Sequence, residues 1–132
     1  MSKIVHASGK RKRAVARATL KDGKGLVTIN NVSLNSWEPK LSRMRIEEPM
    51  ILAGDVSKKV NVSVNVVGGG YSSQTDAVRL AIAKALVGHK PALKEVFLDY
   101  DRQLLVADVR RKEASKPNRH GQARAKRQKS YR

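Results

Sequence analysis

The chain is 132 residues long, one domain's worth, and its 40% hydrophobic content is enough to build a core. Its 28 Lys and Arg against 11 Asp and Glu give a net charge of +17, which predicts a polyanionic partner such as nucleic acid or an acidic membrane. Zero cysteines exclude disulfides, thiol catalysis and Cys-based zinc sites, and no apolar run approaches the roughly 20 residues that span a bilayer. Residues 1–5 are short and mixed, without the apolar stretch of a signal peptide, so a cytoplasmic protein is expected by elimination.

In chain order, Ile4 to Ser8 and Ala14 to Leu20 read as strands, separated by Lys10-Arg11-Lys12-Arg13. Ala14, Ala16 and Ala18 alternate with Val15, Arg17 and Thr19, a period of two. Asp22-Gly23-Lys24-Gly25 predicts a turn, Leu26 to Ile29 the returning strand, Asn30-Asn31 another turn and Val32 to Leu34 a short continuation. Ser36 can cap a helix, and Pro39 and Pro49 predict two short helices before Leu52 rather than one, ended by Ala53-Gly54-Asp55. The clearest strand follows: Val60, Val62, Val64 and Val66 share one face, with Asn61, Ser63 and Asn65 on the other.

Gly68 to Ser73 reads as a loop, and the strongest helix opens just after it, with Ser73 or Thr75 as cap and Asp76 against the dipole. Val78, Ile82 and Leu86 recur every four residues, and Ala77, Ala81 and Ala85 make an adjacent small stripe that permits close packing on a sheet. Gly88 is a natural carboxyl-end cap, with His89 just beyond it. A second helix is expected over Pro91 to Leu98 and a last strand over Leu104 to Val109. This order predicts an α+β or α/β sandwich with helices packed on one sheet, with no repeat and no linker dividing the body.

The charge is unevenly spread. Residues 1–21 carry +7 without an acid, residues 22–109 only +1, and residues 110–132 carry +9 with Glu113 as their sole acid. The chain therefore divides into a globular body, residues 1–109, and a basic tail, residues 110–132, whose apolar residues are three alanines, Pro117 and Tyr131. Such a tail buries too little surface to offset the entropy of ordering alone and is expected to be extended, taking its order from a partner. A solvated tail that only aids solubility is the plainer reading; length, near-absence of acid and terminal position favour nucleic acid.

The Gly68-Gly69-Gly70 loop fits neither nucleotide-binding glycine motif, since Gln74 and Thr75 stand where Lys-Ser would be needed. Two compatible readings remain: tight backbone geometry between strand and helix, or close approach to an RNA sugar-phosphate backbone. His6, His89 and His120 lie too far apart in sequence for metal spacing; His120, in the tail, can touch phosphate or base. Neither Glu47-Glu48 nor Asp99 and Asp101 resembles an acid–base pair, and solvated surface acids are the expectation. Aromatic residues are scarce, and the strands lack the stacking platforms of single-strand RNA readers, so binding is expected to rest on phosphate contacts and shape.

Gly68-Gly69-Gly70-Tyr71-Ser72-Ser73-Gln74-Thr75-Asp76-Ala77, continuing to Leu86, closely resembles the signature of the universal small-subunit ribosomal protein nine family. Gly9 to Ala16 looks like that family's opening segment, Asp108 to Glu113 like its exit from the last strand, and Ala123 to Arg132 like its tail. The Ser130-Tyr131-Arg132 ending looks like the archaeal and eukaryotic form, and the short amino terminus favours the archaeal one.

The resemblance implies an α+β two-layer sandwich of a mixed sheet with helices on one face, including a left-handed βαβ crossover, followed by an extended basic tail. It also implies a cytoplasmic, non-enzymatic constituent of the small ribosomal subunit head, free of cofactor and metal and bound to 16S-type ribosomal RNA and neighbouring head proteins. The tail would reach the peptidyl-site tRNA, with Arg132 as the contact on its anticodon stem-loop and Lys129, Ser130 and Tyr131 beside it. Along ribosomal RNA the resemblance sets Lys10, Arg11, Lys12, Arg13 and the loop Gly68, Gly69, Gly70. In the tail it adds Arg110, Arg111, Lys112, Lys116, Arg119, His120, Arg124, Lys126 and Arg127. The competing classes are a free-standing nonspecific nucleic-acid binder or RNA chaperone, and an RNA-processing enzyme on a similar sandwich.

Overall fold

The computed structural model describes residues 4–36, 40–101 and 104–106. Strand β1 (Val5–Arg11) turns at Lys12-Arg13 into β2 (Ala14–Asp22), with His6 opposite Thr19 and Arg11 opposite Ala14. Next come β3 (Val27–Ile29) and β4 (Val32–Ser33), paired across Asn30-Asn31. Both asparagines take positive φ, 51° and 66°, as a two-residue turn that matches strand twist requires, and asparagine tolerates that region better than most residues.

The second hairpin departs from the sequence reading. β3 does not return along β2: the alternating strand β5 (Val60–Val67) lies between them, antiparallel to β2 and parallel to β3. The sheet order is β1-β2-β5-β3-β4. The Gly23–Gly25 loop bridges over the start of β5. Gly23 N–H donates to the Lys59 carbonyl and Gly25 N–H to that of Val60, both at 2.9 Å. Asn61 Oδ1 accepts from the Lys24 and Leu26 backbone N–H groups at 2.9 and 3.1 Å. The best-patterned apolar strand thus takes the sheet centre, where both its edges are paired and four valines reach the core at 0–3% exposure.

Between β4 and β5 runs α1 (Lys40–Ala53), one helix with Pro49 inside it, where two short helices were expected. Proline forfeits one backbone hydrogen bond. Here its ring is buried beside Ile46 and Met50, and that burial outweighs the lost bond. Gly54 does not end the helical region, which continues as a tighter helical segment over Gly54–Lys59. With α1 as its connection, the parallel pair β3 and β5 forms a crossover unit.

Helix α2 (Tyr71–His89) lies across the sheet and buries Ala77, Val78, Ala81, Ile82, Ala85 and Leu86. Its small stripe is matched by Gly9 on β1: a Cβ there would meet the Ala77 carbonyl oxygen and lie 2.7 Å from the Ala81 nitrogen. The helix starts earlier than expected, with Gly70 at its cap and no side-chain capping bond. Thr75 instead donates its hydroxyl back to the Tyr71 carbonyl at 2.7 Å. His89 is the last helical residue rather than one past a Gly88 cap.

Helix α3 (Leu93–Tyr100), two residues later than expected, contributes the fully buried Phe97. Leu104 to Val106 form a helical turn and bend, not the opening of a strand. The Leu104 N–H bonds the Asp101 carbonyl at 3.1 Å, and this turn puts the Leu104 side chain into the core. Residues 107–109 lie outside the described residues. The architecture is α+β, a five-stranded mixed sheet with its helices on one face. Among the described residues no helix is long and apolar enough to cross a membrane.

Candidate nucleic-acid interface

Two segments far apart in sequence meet at one corner of the sheet. The pairing of β2 with β5, with Val15 opposite Val67, carries the β1–β2 turn alongside the glycine loop. Gly68 and Gly69 both have positive φ, 80° and 63°, and a Cβ on Gly68 would strike the Arg13 carbonyl oxygen. These two glycines answer to backbone geometry and crowding. Gly70 does not: its φ is −98° and a Cβ there would meet nothing within 4 Å.

The basic cluster divides by strand parity. Lys10 is exposed on the side of the sheet away from the helices, and Lys12 and Arg13 are exposed at the turn, Lys12 with φ 53°. Arg11 points the other way. Its Nε lies 3.7 Å from Asp76 Oδ2 on α2, and its side chain is 21% exposed. Asp76 is six residues into the helix rather than at its positive end, and there it also receives Arg45 of α1 at 2.8 Å. Behind it the buried Arg79 donates to Glu48 of α1 and, at 3.3 Å, to Asp101 after α3.

Two carboxylates expected to be solvated, Glu48 and Asp101, and Asp76, expected against the helix dipole, are therefore engaged by arginines. Arg11, Arg45, Asp76 and Arg79 line a half-open cavity of about 310 Å³ together with Ser72, Leu80 and Val106. Arg45 was not singled out from the sequence, where it is one cation in a mixed segment; only the packing of α1 against α2 brings it here. These guanidiniums are matched by carboxylates, so the cations that suit phosphate oxygens here are the exposed Lys12 and Arg13 at the turn beside the glycine loop.

Among the described residues no His, Cys, Asp and Glu side chains are grouped to hold a metal ion. His6 lies 3.2 Å from Thr19 Oγ1 across the β1–β2 pair, and His89 closes α2. The tail residues Arg110, Arg111, Lys112, Lys116, Arg119, His120, Arg124, Lys126, Arg127, Lys129, Ser130, Tyr131 and Arg132 lie outside the described residues.

Comparison with known proteins covers body and tail together. The chain is 51% identical over 133 residues to the small ribosomal subunit protein uS9 of Methanococcus maripaludis strain C7, covering 98% of this chain and 99% of that one. It is 52% identical over 132 residues to the protein of that name from Methanothrix thermoacetophila, with the same coverage. The counterpart from Methanococcus vannielii is 50% identical over 133 residues. These relatives are archaeal, in agreement with the form of the chain's ending. Residues 9–132, from the glycine packed on α2 to the terminal arginine, match the family described as ribosomal protein S9/S16, and the chain belongs to that family.

Proposed function

We propose that this protein is a structural constituent of the small ribosomal subunit head, acting in translation and binding 16S-type ribosomal RNA. In this reading the β1–β2 turn, the glycine loop and the basic tail hold the RNA, and the end of the tail contacts the anticodon stem-loop of the peptidyl-site tRNA. The carrying observation is that the family match runs through Arg132 and so includes the +9 tail as well as the body. A body that packs its own core beside a segment that does not supply one suits a protein wedged among RNA helices. The body fixes position, and the tail neutralises phosphate repulsion where RNA strands crowd.

In the mechanism, Lys12 and Arg13 present cations at the turn, and Gly70 leaves the α2 amino end open to close approach of a sugar-phosphate backbone. Arg132 with Lys129, Ser130 and Tyr131 would raise tRNA affinity through charge and hydrogen bonding, without reading base sequence. No chemical step is assigned to the protein.

Two measurements test this reading. In a sucrose gradient at about 0.5 M salt, where nonspecific phosphate binding is largely lost, the native protein is expected to stay with the small subunit. Release to the top fractions would favour the free-standing binder. Removing Arg132 is expected to speed tRNA dissociation from the peptidyl site while leaving assembly intact. Equal dissociation rates from normal and truncated subunits would remove the tRNA contact from the proposal.

A further inference from the structure

The sheet face away from the helices is uncovered among the described residues, and its side chains are mostly polar or basic, apart from Val15 and Val67 paired at one end. Strand register sets His6, Thr19, Ser63 and Thr28 side by side in one row, and Ser8, Arg17 and Asn65 in the next. Lys10 and Lys21 stand at opposite ends of the same face. Of the described carboxylates, Glu47, Glu48, Asp76, Glu95, Asp99 and Asp101 belong to the helices or the turn after them and Asp55 to the Gly54–Lys59 segment, while Asp22 ends β2 opposite Val60, at the parity of Leu20 rather than that of Arg17 and Lys21.

We propose that this open face is a second RNA-binding surface, one that takes the backbone of an A-form RNA duplex. The inference rests on the reading of the chain as a ribosomal-RNA binder and names a surface that the reading itself does not use. Three observations select the partner. The charge on the face among the described residues is wholly positive, from Lys10, Arg17 and Lys21 of the acid-free residues 1–21. Between those cations stand hydroxyls and amides, each able to donate and accept, which suits the 2′-hydroxyls that line the wide, shallow minor groove of duplex RNA.

The third observation is that no Phe, Tyr or Trp stands on the face among the described residues; the one imidazole there, His6, sits 3.2 Å from Thr19 Oγ1, so the face lacks the row of platforms that splayed single-strand bases need. Arg17 and Lys21 are four residues apart on β2, about 13 Å, which brackets a groove rather than a single phosphate. The face also lacks the Tyr, Trp, Phe and Met anchors that mark the core of a protein–protein interface, and its apolar side chains within the described strands are Val15 and Val67, paired at one end.

The test uses small subunits reconstituted with the full chain carrying a photoreactive benzophenone amino acid in place of Asn65, or in place of Lys116 in the tail. The expected result is an RNA crosslink at Asn65 that maps to a base-paired segment. A crosslink from Asn65 to protein, to unpaired RNA or to nothing, with Lys116 still crosslinking to RNA, overturns the open-face inference and leaves the ribosomal-RNA reading standing. Loss of RNA crosslinks at both positions overturns both. As a second measurement, the full chain carrying Arg17→Ala and Asn65→Ala is titrated with a 16-base-pair RNA duplex. Affinity at 0.15 M salt should fall on the order of fivefold and the salt slope by about 1, for the one phosphate contact removed. Unchanged affinity and slope, in a variant with the parent urea midpoint, would refute the surface.

Discussion

Gly9 is where the sheet and α2 come closest, and Gly9→Ala tests whether that contact sets the spacing of the two layers. The added Cβ would meet the Ala77 carbonyl oxygen, with the Ala81 nitrogen at 2.7 Å and Leu80 Cβ at 3.0 Å, whereas ordinary contact begins at 3.4 Å. Two of these neighbours are helix backbone, so no rotamer change relieves the clash, and α2 must retreat by roughly 1 Å along β1. A retreat of that size forfeits a quarter to a half of the dispersion attraction across the affected contacts.

Overpacking of this type costs about 1–3 kcal/mol, and backbone neighbours put Gly9 at the upper end. The smaller backbone entropy of alanine in the unfolded chain returns about 0.4–1 kcal/mol. A net loss of about 2 kcal/mol is expected, near 10 °C in Tm for a body of this size. Urea unfolding followed by far-UV circular dichroism reads it as a lower midpoint at unchanged slope. A loss under about 0.5 kcal/mol would mean that the helix is not held at glycine distance, and the account of the small-residue stripe would fail.

Gly70→Ala separates the two roles of the glycine loop: with open space at its Cβ, stability should stay within about 0.5 kcal/mol while RNA affinity falls, and unchanged affinity would remove Gly70 from the interface. Asn30→Ala removes two hydrogen bonds to Val66, at 2.9 and 3.1 Å, and leaves alanine at φ 51°, so about 2–3 kcal/mol should be lost by the same urea assay. Arg79→Met keeps the buried length but strands Glu48 and Asp101. Their side chains are 31% and 40% exposed and can be hydrated, so about 1–2 kcal/mol is expected in urea unfolding rather than the 3–5 of a fully buried pair.

Strands with one buried face were legible because period-two patterning is a local signal: the four β5 valines and the alternating alanines of β2 all reach the core. The Asn30-Asn31 turn was legible for the same reason, since the residue type carries the backbone requirement. What the sequence hid was set by packing between distant segments. The place of β5 between β2 and β3 depends on which strand gains most from two paired edges. Pro49 argues locally for a break that burial against the core overrides, and Leu104 reads as strand until its side chain is needed in the core that also holds Phe97. The glycine loop and the basic turn were each legible as candidates; their contact, and the arrival of Arg45, exist only through the β2–β5 pairing and the α1–α2 packing.

Net charge by segment also says little about where charge stands, because folding sorts charge that composition averages. Strand alternation sends Lys10, Arg17 and Lys21 to the open face, while nearly all described carboxylates go with the helices and their connections. It also splits neighbours within one cluster. Lys10 faces outward, while Arg11, one residue on, turns inward and ties the β1–β2 turn to Asp76. Replacing Arg11 therefore removes a cation and also the tie that holds Lys12 and Arg13 beside the glycine loop, whereas replacing Lys10 removes charge alone. On this geometry Lys10→Ala should lower RNA affinity and the salt slope by one contact's worth, without touching stability. Arg11→Ala should lower affinity and the urea midpoint together, and that joint loss marks Arg11 as a positioning residue for the turn.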